Sequence, residues 1–169
     1  QGLTLKNGSF SFMQTGPGSF DVRVLDNTFL DVHGIAVHIL SGLIDVPMGP
    51  VTFAVSGNRI AQNESIVGSQ YLAIAVGGFR NSARGVIVGN VIEQTGVSTQ
   101  SGVVSIHNAD SPLTVDILDN EIRGSSFNSG ISLDQVGPRG RLAARVINNL
   151  VGGQSGSLGG PAGIALIAS

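Results

Sequence analysis

A phrase of the form apolar–x–x–Asn–x–apolar occurs five times along the chain, with its asparagines separated by 31, 32, 30 and 29 residues. Val or Ile stands three positions before every asparagine, and Val, Ile or Phe stands two positions after it. The residue directly after the asparagine is mixed in character, as expected for a side chain that points outward from a strand. A period that varies around 30 residues indicates stacked coils with loops of different length. The five asparagines are Asn27, Asn58, Asn90, Asn120 and Asn149.

A second segment with alternating apolar residues follows each asparagine. The five copies are "GIAVHI" (34–39), "YLAIAV" (71–76), "VVSIHN" (103–108), "GISLDQ" (130–135) and "GIALIA" (163–168). Alternation of this kind predicts strands with one buried face. The residue pairs expected to face the core are Ile35/Val37, Leu72/Ile74, Val104/Ile106, Ile131/Leu133 and Ile164/Leu166. A third, short strand is expected directly after each asparagine, and no helix of about 10–12 residues fits between the strands.

Three short strands in each period predict an all-β fold, a single-stranded right-handed parallel β-helix (solenoid) of about five to six coils of roughly 30 residues. A propeller would need four strands in about 40 residues. The repeated asparagine would turn each corner in the left-handed backbone conformation, and its amide would bond to the next in a ladder. A β-sandwich of about seven strands is the alternative that periodicity alone leaves open.

With its Asn-x-Ile and Gly-Ile-x-Val repeats, the chain from about residue 20 to 168 resembles the right-handed parallel β-helices of the pectate-lyase-like superfamily. The resemblance implies a fold and a ligand-binding sheet, and it leaves function open. That superfamily includes polysaccharide lyases, glycosidases, phage tailspikes and adhesins, and a shared fold does not fix the activity.

The whole chain, residues 1–169, is expected to form one β-helix domain. Its first coil (1–20) is irregular, since Asn7 precedes Asn27 by only 20 residues, and its last segment carries no polar or helical cap. Solenoids need covered ends. We therefore expect either a homo-oligomer or further coils of a longer chain.

Composition narrows the class of partner. With 41% hydrophobic and 12% charged residues the chain is globular, and a net charge of -2 with nine Lys+Arg argues against nucleic acid. No apolar run approaches the roughly 20 residues of a membrane span. The absence of Cys fits an extracellular or cell-surface β protein.

In the resembled superfamily, ligands usually lie along the outer face of one sheet, and by analogy that sheet would be the one formed by the "GIAVHI" segments of this chain. There one outward column is expected to contain His38, Ala75, His107 and Asp134, and another Ala36, Ala73, Ser105 and Ser132. His107 and Asp134 would be one coil apart, and an imidazole held by a carboxylate can act as a general acid or base. This pair is the catalytic candidate, and the alternative is a solvated surface pair. The binding candidates in these columns are His38, Ser105 and Ser132.

Arginines recur after these segments, and they are predicted to stand in loops that overhang the same face. They are Arg80, Arg84, Arg139 and Arg141. Such a basic rim would hold a carboxylated or sulfated sugar, and ordinary loop solubility is the alternative. Asp116 and Arg145 fall in one outward column of adjacent coils, which predicts a cross-strand ion pair.

Signs of catalysis are weak. Asp134 has no acidic neighbour in its column for a calcium site, and no closely paired carboxylates suited to glycoside hydrolysis stand out. No metal and no other cofactor is expected. We therefore expect a surface or secreted module with a shallow groove for a polysaccharide or a protein partner. The alternatives are a polysaccharide lyase- or hydrolase-like enzyme, or its remnant, acting on an acidic glycan, and a purely structural stalk or spike segment.

Overall fold

The computed structural model describes residues 1–32, 34–41, 48–62, 72–94, 103–108, 111–124, 129–136, 140–153 and 162–168. The strands that precede the repeated asparagines form sheet 1: β3 (Phe20–Leu25), β6 (Val51–Ser56), β9 (Ala83–Val88), β12 (Pro112–Leu118) and β15 (Arg141–Ile147). The strands that follow them form sheet 2: β1 (Thr4–Lys6), β4 (Thr28–Leu30), β7 (Arg59–Gln62), β10 (Val91–Gln94), β13 (Glu121–Gly124) and β16 (Leu150–Gly153). Sheet 3 contains the remaining strands: β2 (Phe10–Gln14), β5 (Val37–Ser41), β8 (Ile74–Gly77), β11 (Val104–Asn108), β14 (Ser129–Gln135) and β17 (Ala162–Ala168).

Each strand pairs with the equivalent strand of the next coil, and all of these pairs are parallel. Consecutive strands lie in different sheets, so the chain winds around a central axis as a parallel β-solenoid. The predicted all-β solenoid is therefore confirmed, and the sandwich alternative fails because its sheets would be antiparallel. From Asn27 to Asn149 the solenoid makes about four turns, with further strands at both ends, slightly fewer than the five to six coils expected.

The core lies between the three sheets and is filled by alternate residues of each strand. In the first four copies of the repeat, the side chains three positions before and two positions after the asparagine are at most 2% exposed. Val146 and Val151, in the fifth copy, are only partly buried, because β15 and β16 are the last described strands of their sheets. Full burial of one such aliphatic side chain is worth about 1.5–3 kcal/mol, so these columns account for why the coils stack.

A continuous ladder of amide hydrogen bonds joins the five asparagines, as predicted. Asn90 Oδ1 accepts two bonds from Asn58, one from its backbone N–H at 3.0 Å and one from Nδ2 at 2.9 Å. Asn90 Nδ2 in turn donates to Asn120 Oδ1 at 2.9 Å and to the Val55 carbonyl at 2.9 Å. The backbone bond to Oδ1 recurs at 2.9–3.0 Å in every step of the ladder. The ladder thus satisfies polar groups that would otherwise be buried without partners.

The left-handed residue at each corner is the one before the ladder asparagine, and the prediction that the asparagine itself adopts this conformation is wrong. Sheets 1 and 2 are joined in every coil by two residues, a residue with positive φ followed by the asparagine. The ladder geometry requires the amide to point along the axis, so the turn is made one residue earlier. The positive-φ residues are Asp26, Gly57, Gly89, Asp119 and Asn148, with φ between 53° and 64°. Gly, Asn and Asp are the residues that accept this conformation at least cost.

Sheet 3 departs from the predicted alignment in the coils of β5 and β8. Val37 and Ile39 of β5 face the core, so the predicted pair Ile35/Val37 is wrong by two residues. The same shift makes Ile74 and Val76 the core pair of β8. A shift of two residues keeps the same face of a strand toward the core. In each segment, three apolar residues occur at every second position. The alternation therefore showed which face of the strand is buried, but it did not show which two of the three residues align with the neighbouring strands.

We expect Asn90→Ala to lower the free energy of unfolding by about 3 kcal/mol. It leaves the Asn58 N–H without its acceptor in a buried place, at about 1–3 kcal/mol, and it also removes the buried amide bonds to the Val55 carbonyl and to Asn120. Asn149→Ala is the matched control at the half-buried end of the ladder, where water replaces the lost amide, and should cost about 1 kcal/mol. Chemical denaturation measures both, and equal losses would contradict a role set by burial.

The corner conformation gives a second prediction. Gly89 has a φ of 62° and open space where a Cβ would stand, so a substitution there changes backbone strain alone. Gly89→Ala should destabilise by about 1 kcal/mol, whereas Gly89→Asn should cost clearly less, because asparagine tolerates the left-handed region. Thermal unfolding of the two variants, with Asn148→Gly as a neutral or stabilising counterpart, tests this. An alanine variant as stable as the asparagine variant would refute it.

Candidate functional site

Two columns of outward positions cross sheet 3 at right angles to its strands. We call the first the serine column; from β2 to β14 it contains Ser11, His38, Ala75, Ser105 and Ser132. We call the second the histidine column; over the same strands it contains Met13, Leu40, Gly77, His107 and Asp134.

The columns confirm part of the predicted arrangement. His107 lies directly opposite Asp134 on the neighbouring strand, as expected. His38 instead stands in the serine column, so the prediction that it shares a column with His107 is wrong. Ala36 and Ala73, which were expected to point outward, are fully buried just before their strands. The two-residue shift of β5 and β8 is the physical reason for both differences.

A groove of about 400 Å³ lies on this outer face, across β5, β8 and β11. Its polar groups come from both columns: the imidazoles of His38 and His107 and the hydroxyl of Ser105. Apolar side chains and glycines supply the rest of the lining. These are Ile35, Leu40, Leu72, Ala75, Val76, Gly77 and Gly78, together with Ser41. The groove therefore offers an apolar surface with a few hydrogen-bonding groups at its sides.

The groove exists because β8 carries small residues at its outward positions, beside the larger His38 and Leu40 of β5. Ala75 lies between His38 and Ser105, and Gly77 lies between Leu40 and His107. Gly77 is also required by close packing, since a Cβ there would collide with the His107 backbone carbonyl. The Gly78 N–H donates to the same carbonyl at 3.0 Å, which holds β8 close to β11. The low floor of the groove is thus built into the backbone.

Charge is sparse in the groove. Partial burial lowers the pKa of His38 below its usual value of 6.5, because the charged imidazolium loses hydration there. Its neutral form, which can both donate and accept a hydrogen bond, is therefore favoured near neutral pH. No lysine, arginine, aspartate or glutamate is among the described residues that line the groove.

The candidate catalytic pair is adjacent without being bonded. Within the described part of the chain, no hydrogen bond or ion pair links the His107 and Asp134 side chains. Asp134 Oδ1 instead accepts a hydrogen bond from the Ser132 hydroxyl at 3.3 Å. Ser132 is fully buried, and neither it nor Asp134 lines the groove. His107 alone of this pair lines the groove.

Two of the four predicted arginines, Arg84 and Arg141, do not stand in loops over the groove. Arg80 is exposed in the turn between β8 and β9. Arg84 belongs to β9 and Arg141 begins β15, so both lie on sheet 1 rather than in loops over sheet 3. Arg139 lies outside the described residues. The predicted basic rim is therefore wrong for Arg84 and Arg141.

Comparison of the chain with protein-family models, with curated proteins and with solved structures finds no match. Within the described ranges, no group of three or more His, Asp or Glu side chains is arranged to hold a metal ion. The described residues also include no helix long and apolar enough to cross a membrane. The site is therefore interpreted from its own geometry.

Several groove residues were absent from the sequence-based prediction. Leu40 and Gly77 lie beyond the predicted segments, because β5 and β8 extend two residues and one residue further than those segments, and Gly78 directly follows β8. The outward position two residues after His38 was the signal that could have found Leu40.

The lowered pKa of His38 predicts a pH dependence of stability. The unfolded chain, with its histidine pKa near 6.5, binds a proton more readily than the folded chain does. Protonation of His38 therefore favours the unfolded chain. The folded state keeps its full stability above pH 6.5, and it loses the His38 contribution as the pH falls through 6.5 toward the folded-state pKa. NMR titration should place the His38 pKa below 6.5, and His38→Gln should remove this component of the pH dependence. A His38 pKa at or above 6.5 would contradict the prediction.

Proposed function

We propose that the protein is a binding module, secreted or at the cell surface, that holds an uncharged stretch of a polysaccharide in the sheet 3 groove. The observation that carries the proposal is the groove of about 400 Å³ lined by His38, Ser105 and His107 over an apolar floor. Its volume falls in the range of ligand sites, about 300–1,000 Å³.

The chemistry of the lining supports a sugar chain in particular. Sugar rings combine apolar C–H faces with hydroxyl groups. Leu40 and Ala75 supply apolar contact for the former, while two imidazoles and a hydroxyl can donate to and accept from the latter. The described lining holds no fixed charge that would have to be desolvated when a neutral ligand binds. An open groove across three parallel strands suits an extended polymer better than a compact metabolite.

We also propose kinship with the pectate-lyase-like superfamily. Parallel coils, short strands and a ladder of stacked asparagines support it. The kinship makes carbohydrate the preferred ligand class over a protein segment, which the groove could also accept.

Cleavage of an acidic glycan is a second candidate function, favoured by one observation. His107 lines the groove with Asp134 opposite it on the next strand, so a small side-chain rotation could join a general base to its carboxylate partner. The purely structural stalk or spike stays a prediction, which concentration-dependent sedimentation would test.

A groove-filling variant tests the binding proposal. Ala75→Phe places a ring on the floor of the groove, and Ala54→Phe makes the same change on the outer face of sheet 1. Calorimetry with a panel of neutral and acidic polysaccharides should find a ligand that also shifts the His38 and His107 NMR resonances. Ala75→Phe should weaken that binding at least about tenfold, the equivalent of about 1.4 kcal/mol, and Ala54→Phe should leave it unchanged.

Two outcomes would overturn the proposal: no binding to any polysaccharide of the panel, or equal affinity in Ala75→Phe and the wild type. The same panel distinguishes the enzyme. Turnover would appear as new reducing or unsaturated ends that are lost in His107→Ala, whereas a binding module retains intact chains.

A further inference from the structure

A second recess, of about 350 Å³, lies on the outer face of sheet 1, away from the groove. We call it the arginine recess; its lining residues are Arg84, Thr114, Asp116, Ala143, Ala144 and Arg145. It crosses three adjacent strands, since Arg84 of β9 is aligned with Thr114 of β12 and Ala143 of β15.

Side-chain size explains the recess. Ala143 stands between Arg141 and Arg145 on the outer face of β15, and its methyl group leaves the surface low between longer neighbours. Thr114 continues this low surface toward Arg84. A bound group can therefore approach the backbone of sheet 1 between Arg84 and Arg145.

Arg145 has a fixed orientation. Its Nε donates to Asp116 Oδ1 at 2.9 Å and its Nη2 to Asp116 Oδ2 at 3.2 Å, so the two groups form a bidentate pair. This confirms the predicted cross-strand ion pair. Both carboxylate oxygens of Asp116 are therefore engaged by Arg145.

Arg84 and Arg141 differ from the other arginines on strands. Four of those arginines pair with a nearby acid: Arg23 with Asp21, Arg59 with Glu93, Arg123 with Glu121, and Arg145 with Asp116. Among the described residues, no ion pair or side-chain hydrogen bond engages Arg84 or Arg141. Both are exposed. Arg84 lines the recess, and Arg141 stands two residues before the lining residue Ala143 on β15.

We propose that the arginine recess binds the carboxylate or sulfate groups of an acidic polysaccharide. Guanidinium groups bind such planar or multi-oxygen anions through paired, charge-assisted hydrogen bonds, and the Thr114 hydroxyl can supply another. Arg84 and Arg145 stand on strands two coils apart, which separates them by about 10 Å along the solenoid axis at the usual strand spacing. Cations at that separation on an open face suit a polymer that carries charges along its length better than a single small ion. The proposal does not depend on the groove of sheet 3.

Binding of three polymers at low ionic strength tests the proposal. The probes are polygalacturonate for carboxylates, dextran sulfate for sulfates and neutral dextran as the control. At least one acidic polymer should bind and dextran should not bind at this recess, and added salt should weaken the binding. Whichever acidic polymer binds more tightly identifies the preferred anion.

Matched variants locate the site. Arg84→Gln and Arg141→Gln should each weaken binding about fivefold or more, because each removes a charge-assisted contact. Arg59→Gln removes the same charge from an outward strand position on sheet 2 and should have little effect. Ala75→Phe should also retain binding, so failure at the groove and failure at the recess are distinguishable. Equal affinity in the Arg84→Gln and Arg141→Gln variants and the wild type, an equal loss in Arg59→Gln, or no binding of either acidic polymer would overturn the proposal.

Discussion

The hydrogen bonds between stacked asparagine amides are the constraint on which the rest of this solenoid depends. Each amide must lie directly above the next, so the chain must return to the same point after every turn. Only two residues connect sheets 1 and 2 in each coil, and the ladder fixes the register of both sheets. The apolar columns beside the asparagines then stack without further adjustment, and loops elsewhere can differ in length.

The asparagine ladder does not fix the register of sheet 3. The connections that lead into it from sheet 2 span 3, 6, 11, 9, 4 and 8 residues in successive coils. Their unequal length lets the register of β5 and β8 differ by two residues from that predicted by simple alternation. This freedom places the small residues of β8 beside the larger His38 and Leu40 of β5 and creates the groove. Sheets 1 and 2, with the asparagine ladder between them, supply stability. Sheet 3, with its variable connections, supplies the surface that carries the candidate binding groups.

The sequence was informative wherever a position repeats with a single physical requirement. The buried asparagine and its two apolar neighbours could be recognised, because few other residue types can occupy these positions once water is excluded from them. The left-handed residue was harder to recognise, since Asp26, Gly57 and Asn148 satisfy the same backbone requirement with unlike side chains. The site was harder still. Gly85 interrupts the apolar alternation of β9, so Arg84 was mistaken for a loop residue although it stands on a strand.

The uniform stacking of strands also gives the outer surface a fixed unit of length. Equivalent positions on successive coils are separated by about 4.8 Å, whatever the loops between them contain. Groups one, two or three coils apart therefore lie at multiples of that distance, along a straight line parallel to the axis. Inserting or removing a whole coil would change the distance between two charged groups by one such step. Matching the spacing of a repeating ligand thus becomes a matter of which coils carry the binding residues.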